Sequence, residues 1–271
     1  DVGLWIGTAG YACIEDGELM NACHVHHSAS IAKTYIATLI MMLVEDELLA
    51  LDDLAKSYLP ERIWSNISNA DKATIKQLMN HTSDIFNFDD NMRVYVDTFN
   101  DPLVNGSSEE LFEKYVYGMP AYFEPGEDFK YSNTNYSLLG MIIENITAKN
   151  LGDVMDERII LPFDLNYTFY KSSPSFPNVR GVVNSYLLHF EGEIQNCTDI
   201  QKHFTQIAYG HEGVLANPHD FAAFMKLLIS GNILSYDSLK EMLEMQTVDE
   251  TTFGLGLFEY DTDHEIGYGH T

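Results

Sequence analysis

The stretch "SASIAKTYIATLIMM", residues 28–42, decides how this 271-residue chain is interpreted. It places Ser30 and Lys33 three positions apart, at the start of a run whose other residues are mostly apolar. Apolar residues recur at three- and four-residue steps from Ala32 to Leu43, which predicts a helix with one broad buried face. Side chains three apart on a helix lie within reach of each other. Lys33 is therefore either a solvated lysine or a partner of Ser30.

A serine hydroxyl is a weak nucleophile until a neighbouring group takes its proton or stabilises its anion. The free backbone NH groups and the positive dipole end at the start of a helix would also stabilise an anion at Ser30. The Ser-x-x-Lys pair is a weak signal by itself, since about one match is expected by chance in a chain of this size. Other parts of the sequence must therefore show whether Lys33 is a solvated lysine or a partner of Ser30.

A second cluster, "YSN" at 131–133, follows a Pro-Gly turn and precedes an apolar helical pattern. An extended segment would point Tyr131 and Asn133 to the same side. A phenol beside a lysine ammonium can ionise well below its usual pKa of about 10, so Tyr131 is a candidate base for Ser30. Asn133 is a candidate for binding a substrate amide. The alternative is a buried tyrosine whose hydroxyl is hydrogen-bonded.

A third cluster ends the chain. The stretch "TFGLGLFEYDTDHEIGYGHT" predicts two strands joined by an acidic turn near Asp263. Gly267 and Gly269 in the second strand indicate close approach of a ligand or another backbone. His270 and Thr271 then become candidate polar residues at a strand edge.

Taken together, the three clusters resemble the serine β-lactamase and penicillin-binding protein superfamily. The branch with class C β-lactamases, D-alanyl-D-alanine carboxypeptidases, esterases and D-aminopeptidases is the most similar. The segments "LALDDLAKSYLP", "IKQLMNHTS", "PGEDFKYSNTNYSLLGMIIE" and "GHEGVLANPHDFAAFMKLL" follow the family pattern in order. Agreement of this kind extends over nearly the whole chain.

The resemblance implies an acyl-enzyme on Ser30, activated by Lys33 and Tyr131. It also implies that Asn133 binds substrate, and that His270 and Thr271 do so at the far end of the chain. Class C β-lactamases usually carry lysine where this chain has histidine, so the resemblance favours carboxypeptidase-like or esterase-like chemistry. A cell-wall D-alanyl peptide, a β-lactam, a small ester and a D-amino-acid peptide remain open as substrates. A catalytically weak penicillin-binding pseudoenzyme or scaffold is the alternative.

The fold expected from this resemblance is α/β, of the α+β type. An antiparallel sheet flanked by helices would be formed by residues 1–50 and 170–271, and a mostly helical subdomain by residues 51–169. The active site would lie in the cleft between the two subdomains. The chain begins and ends inside the family pattern, so we expect an incomplete sheet and an oxyanion-hole donor beyond Thr271.

Charge limits the possible partners. The chain has 41 acidic and 15 basic residues, for a net charge of −26. A chain with this charge would repel phosphate backbones, so no nucleic-acid partner is expected. The expected partner is a small-molecule or peptide substrate.

The apolar run at 35–44 is too short to span a bilayer. No signal peptide begins the chain, yet the resemblance implies an extracytoplasmic location, periplasmic or secreted. Nothing in the sequence indicates the oligomeric state.

Neither a cofactor nor a metal is expected. The three cysteines, Cys13, Cys23 and Cys197, form no Cys-x-x-Cys pair and indicate neither a zinc cluster nor a disulfide framework. The histidines of "HVHH" at 24–27 suggest metal binding, but no carboxylate or cysteine stands at ligand spacing.

Three turns depart from the family pattern, because acids replace its usual glycines. These residues are Asp84, Asp164, and either Asp46 or Glu47. Aspartate tolerates the left-handed backbone conformation better than most residues, so we expect the turns to survive.

Overall fold

The computed structural model describes residues 6–101, 107–176, 179–188, 192–207, 209–261 and 266–270. Helices in these ranges are α1 (Ala32–Glu45), α2 (Glu61–Trp64), α3 (Ile75–Met79), α4 (Met92–Asn100), α5 (Ser108–Tyr115), α6 (Asn133–Thr147), α7 (Leu151–Met155), α8 (Thr198–Ile207), α9 (Pro218–Ile229) and α10 (Tyr236–Met242). Short 3-10 turns span Ala29–Ile31, Ala55–Tyr58 and Phe88–Asp90, and a π-helical turn spans Asp156–Ile160.

The strands in the same ranges are short. They are β1 (Tyr11–Cys13), β2 (Glu18–Leu19), β3 (His26–His27), β4 (Thr168–Tyr170), β5 (Tyr186–Leu188), β6 (Ile194–Asn196), β7 (Val214–Ala216), β8 (Gln246–Val248), β9 (Thr251–Phe253), β10 (Phe258–Asp261) and β11 (Ile266–Gly269).

Strand pairing is antiparallel throughout these elements. One sheet has the order β3-β7-β4 and another the order β11-β10-β9-β8, while β1-β2 and β5-β6 form two-stranded hairpins. The predicted class, helices combined with antiparallel strands, is confirmed. The predicted strand pair at the end is also confirmed as β10 and β11, with Phe258 opposite Gly269. The turn near Asp263 lies outside the described residues.

Helix α1 lies at the centre of the core, as its apolar pattern predicts. Burial extends beyond one face, since residues from Ala32 to Met41 are all buried. The Tyr35 ring stacks on Phe224 of α9 with ring centroids 3.7 Å apart. The Thr34 hydroxyl donates to the carbonyl oxygen of Gly256, at 2.8 Å, and so ties α1 to the chain before β10. These contacts give the residues at the start of α1 a rigid support.

The acids that replace family glycines do adopt the left-handed conformation. The φ angles are 58° at Glu47, 48° at Asp84 and 53° at Asp164. Asp46 has a φ of −77°, so Glu47 occupies the left-handed position of that turn. The Asp84 carboxylate also accepts hydrogen bonds from the backbone NH groups of Tyr122 and Phe123. The turns therefore survive the substitutions, as expected.

The division into subdomains stays a prediction.

Among the described helices, none combines the length and the apolar character needed to cross a membrane.

Candidate active site

Ser30 lies in the 3-10 turn that leads into α1, directly after Ala29, whose φ is 47°. The side chain of Ser30 is partly exposed. Its Oγ accepts a hydrogen bond from Lys33 Nζ at 2.8 Å and another from Tyr131 Oη at 2.8 Å. The structure thus brings together the three residues that the sequence nominates for catalysis, although Tyr131 lies 101 positions from Ser30.

Lys33 is fully buried, so it is not the solvated lysine of the alternative interpretation. Its Nζ also donates to the carbonyl oxygen of His211 at 2.9 Å and lies 5.1 Å from the centre of the Tyr131 ring. Burial lowers the pKa of Lys33 to about 7, although the carboxyl groups of Glu212 and Asp89 act to raise it. A large fraction of Lys33 is therefore a neutral amine at neutral pH.

Tyr131 departs from the expected charge state. Burial raises its pKa above the usual value, and Glu212 and Asp89 raise it further, while the hydrogen bond with Ser30 opposes them. A partly ionised Tyr131 is therefore not supported, because desolvation penalises the phenolate. The neutral amine of Lys33 is the better candidate base.

The local backbone at 131–133 combines the predicted extended conformation with a helix start. Ser132, the N-cap of α6, is extended, with φ −145° and ψ 119°. Asn133 is the first residue of α6, so the helix begins earlier than the apolar pattern from Leu138 indicates.

The ring of His81 packs beside that of Tyr131, and the sequence did not predict His81 as a residue of this site. The two rings lie 4.4 Å apart, and His81 Nδ1 accepts a hydrogen bond from the backbone NH of Ser132 at 3.2 Å. Burial lowers the pKa of His81 well below its usual value, and nearby Lys33 and His270 lower it further. His81 is therefore neutral and carries its proton on Nε2. Its only sequence signal is the family-like segment "NHTS".

Asn133 is held by a carboxylate that no sequence motif indicated. Its Nδ2 donates to Asp89 Oδ2 at 2.6 Å, and its backbone NH donates to Asn87 Oδ1 at 3.1 Å. Burial raises the pKa of Asp89, while Asn133 and Lys33 lower it. The side-chain nitrogen of Asn133 is thus already engaged, and its Oδ1 is buried without a hydrogen-bond partner among the described residues.

A second unpredicted group comes from the loop between α8 and β7. His211, whose carbonyl accepts from Lys33, forms a 2.8 Å hydrogen bond between its Nδ1 and Ser137 Oγ. Glu212 follows it, and burial raises the pKa of that carboxyl, with Lys33 acting to lower it. The segment "GHEG" was part of the resemblance, but its side chains carry no local pattern that marks them as site residues.

His270 lies beside the site, at the end of β11. Its ring centroid is 4.9 Å from that of Phe258 and 5.9 Å from that of Tyr131. Thr271, the other residue nominated at this end, lies outside the described residues.

The histidines at 24–27 make other contacts. The ring of His24 lies within hydrogen-bond distance of Asn21 and Glu18, and His27 Nδ1 lies 2.8 Å from Thr205 Oγ1. Within the ranges that the structure describes, no three side chains of the metal-ligating types are grouped around a common point.

The comparisons with known proteins agree on one family. The family model described as Beta-lactamase matches residues 3–271. A penicillin-binding protein of Bacillus subtilis is 29% identical over 165 residues, which are 61% of this chain and 35% of that protein. A Salmonella enteritidis protein provisionally assigned as a D-alanyl-D-alanine carboxypeptidase is 26% identical over 280 residues, covering 91% of this chain and 63% of its own length. The chain therefore spans between about a third and two thirds of these relatives.

Solved structures agree on the fold. The D-amino acid amidase from Ochrobactrum anthropi, complexed with L-phenylalanine amide, has a TM-score of 0.80 and 25% identity, with 97% of this chain and 73% of that chain covered. A penicillin-binding protein from Bacillus halodurans has a TM-score of 0.79 and 18% identity, with 97% and 78% covered.

Proposed function

This chain belongs to the beta-lactamase family, and from that premise we propose that it is a serine hydrolase that forms an acyl-enzyme on Ser30. One observation carries the proposal: Ser30 Oγ lies 2.8 Å from both Lys33 Nζ and Tyr131 Oη. These contacts supply a nucleophile, a base and a proton donor within hydrogen-bond reach, which is the arrangement that acyl transfer needs.

The proposed proton route starts from the neutral amine of Lys33. Lys33 Nζ takes the Ser30 proton as Oγ attacks the substrate carbonyl carbon, and the carbonyl oxygen becomes an oxyanion. Backbone NH groups, including that of Ser30, stabilise this oxyanion. The resulting ammonium of Lys33 returns a proton to the leaving nitrogen or oxygen, directly or through the phenol of Tyr131. Water then hydrolyses the ester on Ser30 and restores the hydroxyl.

The substrate is proposed to be a small amide or ester, in the manner of a carboxypeptidase or an esterase. The relatives support this class, since their names include a carboxypeptidase and an amidase. Asn133 and His270 are proposed to line the substrate site, together with Thr271 as the resemblance implies. We also propose an extracytoplasmic location on the resemblance.

The activity is expected to rise with pH on the acid side. The reactive form of Lys33 is deprotonated, and its pKa is lowered to about 7. The value of kcat/KM should therefore fall about tenfold per pH unit below pH 6 and level off above pH 8. A profile measured from pH 5 to 9 on a neutral substrate checks this. A value of kcat/KM that stays constant down to pH 5, or that decreases as the pH rises from 7 to 8, contradicts a neutral lysine base.

Covalent labelling tests the proposed function directly. The intact protein is incubated with a fluorescent penicillin or an alkyl fluorophosphonate, and the adduct is located by mass spectrometry. We expect an adduct on the peptide containing Ser30, and its absence in Ser30→Ala. Ser28→Ala is the matched control, because Ser28 is a buried serine of the same segment whose hydroxyl donates to the carbonyl of Ala29.

Two outcomes of this labelling would change the conclusion. If neither reagent modifies Ser30, the proposed nucleophile is wrong. If an adduct forms but persists for days, and a panel of esters, β-lactams and D-alanyl peptides shows no turnover, the chain is a penicillin-binding pseudoenzyme instead of a hydrolase.

A further inference from the structure

We propose that His81 is a positioning residue, which holds the Tyr131 hydroxyl against Ser30 Oγ so that Tyr131 can pass a proton to the leaving group. The inference rests on the proposed function, because it assigns a further residue to the proposed reaction. In this role His81 acts through Tyr131 and takes no proton itself.

His81 holds the chain on both sides of Tyr131. Its backbone carbonyl oxygen accepts a hydrogen bond from the backbone NH of Lys130 at 2.9 Å. Its ring Nδ1 accepts another from the backbone NH of Ser132 at 3.2 Å. One residue thus binds the NH groups immediately before and after Tyr131, so the backbone of Tyr131 has little freedom to shift.

The third contact is with the Tyr131 ring itself. The two ring centroids are 4.4 Å apart, and the planes are tilted by 33°. The His81 ring is enclosed in turn, since the rings of Tyr136 and Phe129 lie 5.3 and 6.0 Å from it and His81 is 3% exposed. A side chain packed in this way cannot change its rotamer unless its neighbours move. The His81 ring therefore fixes the direction of the Tyr131 phenol, whose Oη lies 2.8 Å from Ser30 Oγ.

The backbone of His81 has a conformation that most side chains avoid. His81 follows α3 and has a φ of 60°, and the NH of Thr82 donates to the carbonyl oxygen of Gln77 at 3.0 Å. In this helix-ending motif the left-handed residue is usually glycine. Residues held in such conformations are concentrated at functional sites, which makes the presence of a side chain here informative.

His81 also leaves a buried donor unpaired. Because Nδ1 accepts from Ser132, the ring proton is on Nε2, and Nε2 is buried without a hydrogen-bond partner among the described residues. An unpaired buried donor opposes folding, as does the left-handed backbone. What the histidine supplies instead is the set of contacts that converge on Tyr131 and its two neighbours.

The proposed role acts on one step, the protonation of the leaving group. Acylation of Ser30 by a penicillin breaks the carbon–nitrogen bond of the lactam, and the departing nitrogen takes a proton. An alkyl fluorophosphonate instead forms a bond between Ser30 Oγ and phosphorus and releases fluoride, which needs no proton. Both reagents require Lys33 to take the Ser30 proton. The ratio of the two labelling rates therefore reports on Tyr131, whereas a general disturbance of the fold would lower both rates equally.

The rates of Ser30 labelling are compared for wild type, His81→Asn and His81→Phe at about pH 8.5, above the pKa of Lys33. Asparagine tolerates the left-handed conformation and keeps an acceptor near the place of Nδ1, but it lacks the ring. Phenylalanine keeps the ring and lacks the acceptor. We expect each variant to lower the penicillin rate by about tenfold or more, and the fluorophosphonate rate by less than about threefold.

A double-mutant cycle with Tyr131→Phe tests whether the effect passes through the Tyr131 hydroxyl. Once that hydroxyl is gone, replacement of His81 should have no further effect on the penicillin rate. His81→Asn combined with Tyr131→Phe should therefore stay within about twofold of Tyr131→Phe alone. Losses that multiply in the double variant contradict the proposal, and so does an equal decrease of both labelling rates in His81→Asn.

Glu47→Asn is the matched control. Glu47 is an exposed residue at the end of α1 with a φ of 58°, so this variant places asparagine in the same conformation at another helix end. It should leave both labelling rates within about twofold of wild type. Melting temperatures of all variants report their stability.

A crystal structure of His81→Asn gives a result that does not depend on labelling. We expect the distance between Tyr131 Oη and Ser30 Oγ to increase beyond about 3.5 Å. A distance that stays near 2.8 Å overturns the positioning role, whatever the labelling shows.

The outcomes separate this inference from the proposed function. If neither reagent labels Ser30 in the wild type, the hydrolase is wrong, and the distance in the variant alone decides on His81. If the wild type is labelled and both His81 variants keep its ratio of rates, the hydrolase stands and the positioning role is wrong.

Discussion

Replacement of Lys33 by methionine is expected to lower kcat/KM by a factor of about 10³ or more. Methionine keeps the length and apolar stem of lysine but removes the base and the hydrogen bond to Ser30 Oγ. Lys33→Arg should lose activity to a similar extent, because a guanidinium stays charged and cannot take the Ser30 proton. Steady-state kinetics with the best ester or amide substrate, together with the rate of Ser30 labelling, checks both variants.

Stability should move in the opposite direction in Lys33→Met. Lys33 is fully buried, and an amine in that environment is desolvated, whereas a thioether is not penalised. The melting temperature of Lys33→Met should therefore equal or exceed that of the wild type. This distinguishes loss of chemistry from loss of fold.

Lys171 provides a matched control for this prediction. Burial lowers its pKa to about 8, and its Nζ donates to the carbonyl of Gln206 at 2.6 Å, so it is also a desolvated lysine. Lys171→Met should keep activity within about threefold, since no contact joins Lys171 to Ser30 in the described residues.

Retention of more than a tenth of the activity in Lys33→Arg would contradict the assignment of Lys33 as the base.

Gly210→Ala is expected to destabilise the protein by about 3 kcal/mol or more. The φ angle of Gly210 is 83°, a conformation that alanine rarely adopts. A Cβ at this position would lie 2.2 Å from the carbonyl oxygen of Tyr136 in α6, so the backbone of the loop or of the helix must move. The expected decrease in melting temperature is about 6 to 12 °C for a chain of this size.

The same substitution should lower activity. Gly210 precedes His211, whose carbonyl accepts from Lys33 Nζ, and displacement of the loop would weaken that contact. Thermal unfolding followed by circular dichroism gives the stability, and the labelling rate of Ser30 gives the effect on the site.

Gly118→Ala separates backbone strain from collision. Gly118 has a φ of 73°, close to that of Gly210, but a Cβ there would have no atom within 4 Å. We expect a loss of about 1 kcal/mol from the backbone conformation alone. Equal losses in the two alanine variants would contradict a role for the close approach between Gly210 and α6.

Several elements of the site could be predicted before the structure because their signals are local. Ser30 and Lys33 are one helical turn apart, so a helix is enough to bring them into contact. The order of the three clusters along the chain then pointed to the family, and with it to Tyr131. The left-handed turns at Asp84, at Asp164 and at either Asp46 or Glu47 were likewise predicted, because these acids stand where the family usually has glycine.

Other elements had no local signal. Asp89 meets Asn133 across 44 positions, and the carbonyl of His211 meets Lys33 across 178. Neither spacing follows a helix or strand period, so only the packing of α1, α6 and the loop before β7 reveals these contacts. The start of α6 at Asn133 had no local signal either, because residues 133–137 are polar and only α6's packing on α1 and α3 accompanies their burial.

Motif order and helical spacing were enough to predict the family, the fold class and the roles of Ser30, Lys33 and Tyr131 as candidate catalytic residues. The charge states of Lys33 and Tyr131 depend on burial, which the motifs do not show. Desolvation sums over every atom packed around a side chain, and it turned the expected phenolate of Tyr131 into a neutral phenol and brought the pKa of Lys33 to about 7. The tertiary structure alone decided that Asp89 and Glu212 stand beside this pair, which no residue near them in the chain could indicate.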